Sequence, residues 1–304
     1  MKTIFLFPGQ GSQYVGMGKL LSDSHPKARR LLEEADDVLG FSLSRILFEG
    51  PEEDLKATQN TQPALYVTSQ LAALVLAEAG VTADFAAGHS LGEYSALAAM
   101  GALSFADGLR LVRLRGELMA EAGVRRPGAM AAVLGLEPGP LEVALGAVPG
   151  VVVPANFNSP GQIVISGEVD AVEKGMEAAM AAGAKKVVRL PVSGAFHSPL
   201  MDYALEGLRE GLASAVFGDA SAPVIANVDA LPHGLATDFP GLLERQLVSP
   251  VRWTDSMRQA IGLGAVRGVE VGSGKVLMGL MRGIDRNVPV TPVETVEAAQ
   301  ALVA

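Results

Sequence analysis

Ala83-Asp84-Phe85-Ala86-Ala87-Gly88-His89-Ser90-Leu91-Gly92 is the stretch on which the reading of this chain turns. Residues 83–87 form a short apolar segment, and 91–100 carry a helical pattern. Between them, Gly88-His89-Ser90-Leu91-Gly92 fits the spacing G-x-S-x-G in the strand–turn–helix setting that a nucleophile elbow requires. Reversing from strand to helix in so few residues strains the serine backbone, and flanking glycines leave room for it. The hydroxyl then stands at the top of a sheet. The N–H groups of the new helix point at the same spot, and the one after the serine can donate to an oxyanion. A chain with 35 glycines also meets this spacing by chance, so a structural glycine turn is the alternative.

Outward from the elbow, strands and helices alternate. Thr3–Phe7 is an apolar run closed by Pro8-Gly9, a buried strand followed by the loop Gly9-Gln10-Gly11-Ser12-Gln13. Helices are expected over 26–39, from Thr61-Gln62-Pro63 to a stop at Gly80, and over 107–122 with Gly123 as terminator. Arg125-Arg126-Pro127-Gly128 looks like a linker. Beyond it come a strand (129–134), a helix (137–146), strands (151–156, 162–166), a helix (168–182) and a strand (185–190). That order, βαββαβ, is the ferredoxin-like unit. A helix from Ser198-Pro199, a strand (223–228), helices (240–248, 252–262), a strand (265–271) and a helix (275–282) then resume the first rhythm. The expected fold is α/β: a large subdomain with a mostly parallel sheet, residues 1–126 and 194–304, carrying a compact insert, 127–193.

Composition narrows the chemistry. The 304 residues include no cysteine, which excludes disulfides, cysteine–zinc sites, iron–sulfur clusters and thiolate nucleophiles. A net charge of −9 argues against a nucleic-acid binder that works by bulk charge. The N-terminal apolar run is too short for a signal peptide core, and no uncharged stretch reaches the roughly 18 residues of a membrane span. A soluble, cytoplasmic protein is expected. Two glycine clusters fail as phosphate-binding motifs: Tyr14 replaces the third glycine after Gly9 and Gly11, and Val276 follows Gly274-Lys275 where a P-loop needs Ser or Thr.

A nucleophilic serine needs a base, and only His25, His89, His197 and His233 are available. His25 precedes a helix start and His233 sits in a turn, while His89 adjoins the serine, from which its side chain should diverge. His197 lies in Pro191-Val192-Ser193-Gly194-Ala195-Phe196-His197-Ser198-Pro199, between a strand end and a new helix. It is either the base or a helix-capping residue. Arg115 has Leu111, Leu118 and Met119 as its helix neighbours, so it points along an apolar face and needs an anionic partner. That partner is a protein carboxylate or a substrate carboxylate held bidentately.

Taken together these residues resemble the malonyl-CoA:acyl-carrier-protein transacylases of bacterial fatty-acid synthesis, over nearly the whole length. The resemblance is carried by Phe5–Gln13, Thr61-Gln62-Pro63-Ala64-Leu65, Gly88–Glu93, Arg113-Leu114-Arg115-Gly116, Asn156–Gln162, His197, Gln246–Trp253 and Glu270–Leu277. It implies an α/β-hydrolase-like large subdomain with a ferredoxin-like insert. It implies Ser90 as acyl-accepting nucleophile, His197 as its base, and the N–H groups of Gln10 and Leu91 as oxyanion hole. Arg115 would clamp the malonyl carboxylate. Gln246 would orient His197 through its backbone carbonyl, and Asn158 would line the cleft. Ala195-Phe196-His197 resembles a malonyl-selective signature in which a bulky Phe196 excludes an α-methyl branch; a core phenylalanine is the plainer reading.

The implied substrates are malonyl-CoA and acyl carrier protein, with no cofactor, no metal, no nucleic acid and no membrane, and the enzyme is expected to be a monomer. Coenzyme A and carrier proteins are acidic, so local basic groups must steer them. Lys185 and Lys186, on the last strand of the insert, are the docking candidates, with Arg125-Arg126 at the other hinge; solvated surface charge is the alternative. Three rival functions remain, one of them a discrete acyltransferase of a polyketide pathway, which would share the fold and every motif. An esterase would use Asp170 or Glu173 as a third catalytic group. A silent binding module would not need Ser90 and His197 together.

Overall fold

Ile4, Phe5, Leu6 and Phe7 are buried without alternation, as a strand covered on both faces requires. They belong to β1 (Lys2–Phe7) of a computed structural model that describes residues 2–192 and 194–303. The boundaries read at Met1, Ser193 and Ala304 lie outside the described residues. After β1 come α1 (Lys19–Ser24), α2 (Pro26–Leu39), α3 (Leu43–Glu49), α4 (Glu52–Lys56), α5 (Thr58–Glu78), β2 (Phe85–Gly88), α6 (Gly92–Ala99) and α7 (Phe105–Arg125). The insert contributes β3 (Gly128–Leu134), α8 (Pro138–Gly146), β4 (Val152–Ser159), β5 (Gln162–Glu168), α9 (Val169–Ala181) and β6 (Lys186–Arg189). A 3-10 helix (Pro199–Ala204) leads into α10 (Leu205–Ser214), β7 (Val224–Ile225), β8 (Pro232–His233), α11 (Phe239–Val248) and α12 (Trp253–Gly262). Then β9 (Ala265–Val271), α13 (Val276–Ile284), β10 (Val290–Val293) and α14 (Val296–Gln300) close the chain.

The large sheet has the order β10-β9-β1-β2-β7-β8, parallel except for β8. Phe7 pairs with Gly88, so the loop after β1 and the elbow after β2 leave the sheet side by side at its carboxyl edge. Clefts of open α/β sheets form at that edge. The elbow is tight: a Cβ on Gly92 would lie 2.1 Å from the Phe7 carbonyl oxygen, and one on Gly88 would lie 1.8 Å from the Gly92 backbone. No residue but glycine fits either place.

The second sheet, β4-β5-β3-β6, is antiparallel, the ferredoxin-like order. Its two faces follow the period of two in β3. Ala129, Ala131 and Val133 pack on Leu141, Leu145 and Val172 of α8 and α9, whereas Met130 and Ala132 face the main core.

Several local expectations are corrected. α5 starts at Thr58, so Pro63 lies inside it rather than opening it. The carbonyl that proline leaves without a helical donor, Gln59 O, accepts Arg113 Nη1 at 2.9 Å. Gly123 does not stop α7, which runs on to Arg125. The strand expected at 223–228 shortens to Val224–Ile225, because Asn227 turns away to bond the elbow. The chain after Ser198 is a 3-10 helix before α10 begins. α1, α3, α4, α14, β8 and β10 carry no sequence signal that was read. Among the described residues no helix is long and apolar enough to cross a membrane.

Candidate active site

Ser90 stands at the turn between β2 and α6 with φ 52°, a left-handed conformation that a non-glycine residue adopts only when held there. Asn227 holds it. Its Oδ1 accepts the Ser90 N–H at 2.7 Å, and its Nδ2 donates to Gly88 O at 2.7 Å.

His197 is buried, also at positive φ (57°), and its Nε2 lies 2.7 Å from Ser90 Oγ. Its Nδ1 faces the carbonyl oxygens of Gln246 (3.0 Å) and Ser249 (3.1 Å). Carbonyls only accept, so the ring proton sits on Nδ1 and the Nε2 lone pair faces the serine. Burial first, and then the Arg115 charge, push the His197 pKa down to about 3, so the ring is neutral at physiological pH.

Arg115, on α7, is 1% exposed. Nη1 donates to Gln62 Oε1 at 2.9 Å, and Nη2 donates to Gln246 Oε1 at 3.1 Å and to Ser90 Oγ at 3.0 Å. Nε, on the same edge of the guanidinium as Nη2, has no partner among the described residues. No carboxylate lies within ion-pair distance of Arg115 there, and burial pulls its pKa below the ordinary value.

A cavity of about 180 Å3 joins these groups between the two sheets. Ser90, Leu91, Arg115, Asn158, Phe196 and Gln10 are among the residues lining it. His89 lines the cavity with its Nε2 2.8 Å from Asn158 Oδ1, while the imidazole that faces Ser90 Oγ is that of His197. Gln246 takes part through its side chain as well as its carbonyl: Nε2 donates to Ser90 O (3.0 Å) and to Glu93 Oε2 (2.9 Å). Glu93 is 2% exposed, and burial pushes its pKa up to about 7.

Sequence reasoning missed Asn227, Ser249 and the parts played by Gln62 and Glu93. Gln62, Glu93 and Ser249 stand inside the stretches that carry the family resemblance, whereas nothing in the stretch around Asn227 marks it.

Lys185 and Lys186 are exposed at the start of β6, and the strand does lead to the cavity, which Leu190 and Val192 line. The four positions from Lys186 to Leu190 span roughly 13 Å, so the lysines stand at the far end. Arg189 pairs with Glu173 and Arg125 with Glu121. Asp170 and Glu173 are exposed on α9, and neither bonds His197, so they supply no third catalytic group. Among the described residues no group of three or more His, Asp or Glu side chains could hold a metal ion.

Comparison with known proteins matches residues 4–299 to the family model described as acyl transferase domain. The chain belongs to this acyltransferase family. It is 47% identical to the malonyl CoA-acyl carrier protein transacylase of Bacillus subtilis, over 98% of this chain and 96% of that one. The Staphylococcus aureus protein of the same name is 40% identical, over 97% and 96%. Among solved structures, the acyl-carrier-protein-S-malonyltransferase of Bartonella henselae superposes with a TM-score of 0.96 at 42% identity, covering 100% of this chain and 98% of that one. A type II PKS acyl-carrier protein in complex with its malonyl-transacylase gives 0.95 at 40% identity, covering 98% of each.

Proposed function

We propose that this acyltransferase moves a malonyl group from coenzyme A to the phosphopantetheine thiol of acyl carrier protein, in two steps through a malonyl ester on Ser90, so supplying malonyl groups for fatty-acid elongation. One observation carries the choice of malonyl. Arg115 is a fully buried guanidinium with no carboxylate in ion-pair distance among the described residues, and it reaches the hydroxyl of Ser90 at 3.0 Å. An acyl group attached to that oxygen and ending in a carboxylate meets the Nε/Nη2 edge bidentately.

In the first half-reaction Ser90 Oγ attacks the thioester carbonyl and gives its proton to His197 Nε2. The N–H groups of Leu91 and Gln10 receive the oxyanion, which collapses to expel coenzyme A as its thiol, protonated by His197. The carrier thiol then passes its proton to His197, attacks the ester, and Ser90 leaves with that proton. Gln246 and Ser249 orient the histidine with carbonyl dipoles in place of a carboxylate. Burial first and then the Arg115 charge depress the basicity of His197, and a substrate carboxylate that neutralises Arg115 relieves the second of these. Asn158 lines the acyl cleft, and the Phe196 ring opposes an α-branch, a methyl-sized discrimination of ~1–3 kcal/mol.

The reaction needs no cofactor, no nucleic acid and no membrane. We take the enzyme to be a cytoplasmic monomer in which residues 1–126 and 194–304 carry the catalytic groups and 127–193 form one wall of the cleft. Carrier docking falls more naturally on α13 than on Lys185 and Lys186. Gly274, just before α13, lies against Ser12 of the Gln10 loop, and Gly283 lies against Ser159, next to Asn158. Lys275, just before α13, and Arg282, in its last turn, are exposed and have no ion-pair partner among the described residues.

The test is intact-protein mass measurement after incubation with malonyl-CoA. The wild type should gain one malonyl unit on Ser90, and Ser90→Ala should gain none. A persistent covalent malonyl group on the alanine variant would end the proposal.

A further inference from the structure

Glu93 is three residues beyond Ser90, on the first turn of α6, and has no place in the transfer steps above. It is nonetheless buried, and its Oε2 accepts two hydrogen bonds, from the Asn227 backbone N–H (2.9 Å) and from Gln246 Nε2 (2.9 Å). Both donors belong to residues that touch the reacting groups. Asn227 clamps the elbow through Ser90 N and Gly88 O. Gln246 bonds Ser90 O with the same Nε2, Arg115 Nη2 with its Oε1, and His197 Nδ1 with its backbone carbonyl. An amide side chain can point either way unless its partners are distinct. Here Glu93 demands the NH2 group on one side, and that forces the oxygen toward Arg115.

We infer that Glu93 is a positioning residue for acyl transfer: through the Gln246 amide and Asn227 its carboxylate holds Ser90, His197 and Arg115 in one hydrogen-bonded frame. This rests on the malonyl-transfer reading and deepens it.

Glu93 and Arg115 are also the two buried charges of the site, separated by the Gln246 amide. The titratable groups acting on Glu93 from the elements around it are Arg115 on α7, Tyr94 on α6 and Asp229 after β7. Burial raises its pKa to about 7, so the carboxylate is lost as pH falls below that value and the negative pole of the frame goes with it. Folding feels the opposite sign. The native state binds this proton more readily than the unfolded chain, so the charged carboxylate costs stability once pH rises above the unfolded value. A glutamine at this place therefore relieves the fold at neutral pH while it weakens the frame.

The experiment compares wild type, Glu93→Gln and Glu93→Ala with malonyl-CoA and holo-carrier protein, reading kcat, KM, melting temperature and the pH profile of kcat/KM. Glu93→Ala should lose kcat by on the order of 10²-fold, since it releases three reacting groups at once. Glu93→Gln keeps one acceptor oxygen, should lose about tenfold, and should melt no lower than the wild type at pH 7. Its profile should be flat on either side of pH 7, where the wild type falls on the acid side. Wild-type kcat and an unchanged acid limb in Glu93→Gln would overturn the inference. So would losses in both variants that merely track a lowered melting temperature. Failure of the wild type to become malonylated would sink the underlying reading instead, so the two failures are distinguishable.

Discussion

At the scale of single residues, the buried guanidinium of Arg115, with no carboxylate in ion-pair distance among the described residues, is a costly feature of the site. Removing one partner of a buried charge pair exposes the penalty borne by the other. Here the described residues supply it with neutral oxygens, from Gln62, Ser90 and Gln246. In the proposed role of Arg115, a malonyl carboxylate relieves that penalty and an acetyl group does not. Arg115→Ala should therefore reduce kcat/KM for malonyl-CoA by ~2–5 kcal/mol of transition-state stabilisation, with acetyl-CoA falling little or rising. Parallel assays of the two thioesters decide it, and equal losses would make Arg115 a packing residue. The residue was legible in the sequence because three apolar neighbours on one helix face mark where it points. Its freedom from a protein carboxylate was not. Gln62 and Gln246 lie 53 and 131 positions away, and no local pattern joins them to Arg115. Asn227, 137 positions from Ser90, shows the same limit: a clamp made by one side chain on a distant backbone leaves no periodicity.

At the scale of elements, long amphipathic or wholly apolar segments were readable and short paired ones were not. The helix read at 26–39 is Pro26–Leu39 in the structure, stopped by Gly40 in a left-handed conformation. β7 and β8 have two residues each and exist only through their neighbours in the sheet. The same distinction bears on carrier docking. From sequence, adjacent lysines on a strand that leads to the cleft were the visible basic patch. The structure sets Lys185 and Lys186 at the end of β6 away from the cavity and brings α13 up to the elements that line it. Lys275, the residue that caps the start of α13, and Arg282, in its last turn, are both exposed. Changing both to Glu should lower kcat/KM for holo-carrier protein on the order of tenfold at low salt, with the deficit shrinking as ionic strength rises. Transfer to a small pantetheine thiol should be unaffected. Changing Lys185 and Lys186 to Glu should leave both acceptors unaffected. The reverse ranking of the two double variants would return docking to β6.

At the scale of the whole molecule, the cavity is bounded by two sheets, so its geometry depends on how firmly they are joined. The seam is a backbone bridge between β4 and the segment before α12. Phe157 N donates to Val251 O at 2.9 Å and Val251 N donates to Ala155 O at 2.8 Å, while Thr254 Oγ1 donates to Phe157 O at 3.0 Å. Apolar packing continues across it: Met130, Ala155 and Val164 of the insert belong to the same core as Phe5, Phe7 and Leu91. A core shared in this way predicts one cooperative unfolding event rather than two. The only tryptophan of the chain, Trp253, reports on that joint. It is fully buried beside the bridge, packs with Ile4, Leu6 and Val251, and sits tilted against His89 at 5.5 Å between ring centroids. Tryptophan emission thus follows the seam, whereas far-ultraviolet circular dichroism follows helices throughout the molecule. The two thermal transitions should superimpose. Malonyl-CoA should shift both upward together, since a ligand held between the sheets stabilises only the joined state. An emission change that precedes the loss of helix would show that the seam opens first. In that case the insert moves as a separate body and the spacing of Arg115, Ser90 and His197 against Asn158 is set by the ligand instead of by the fold.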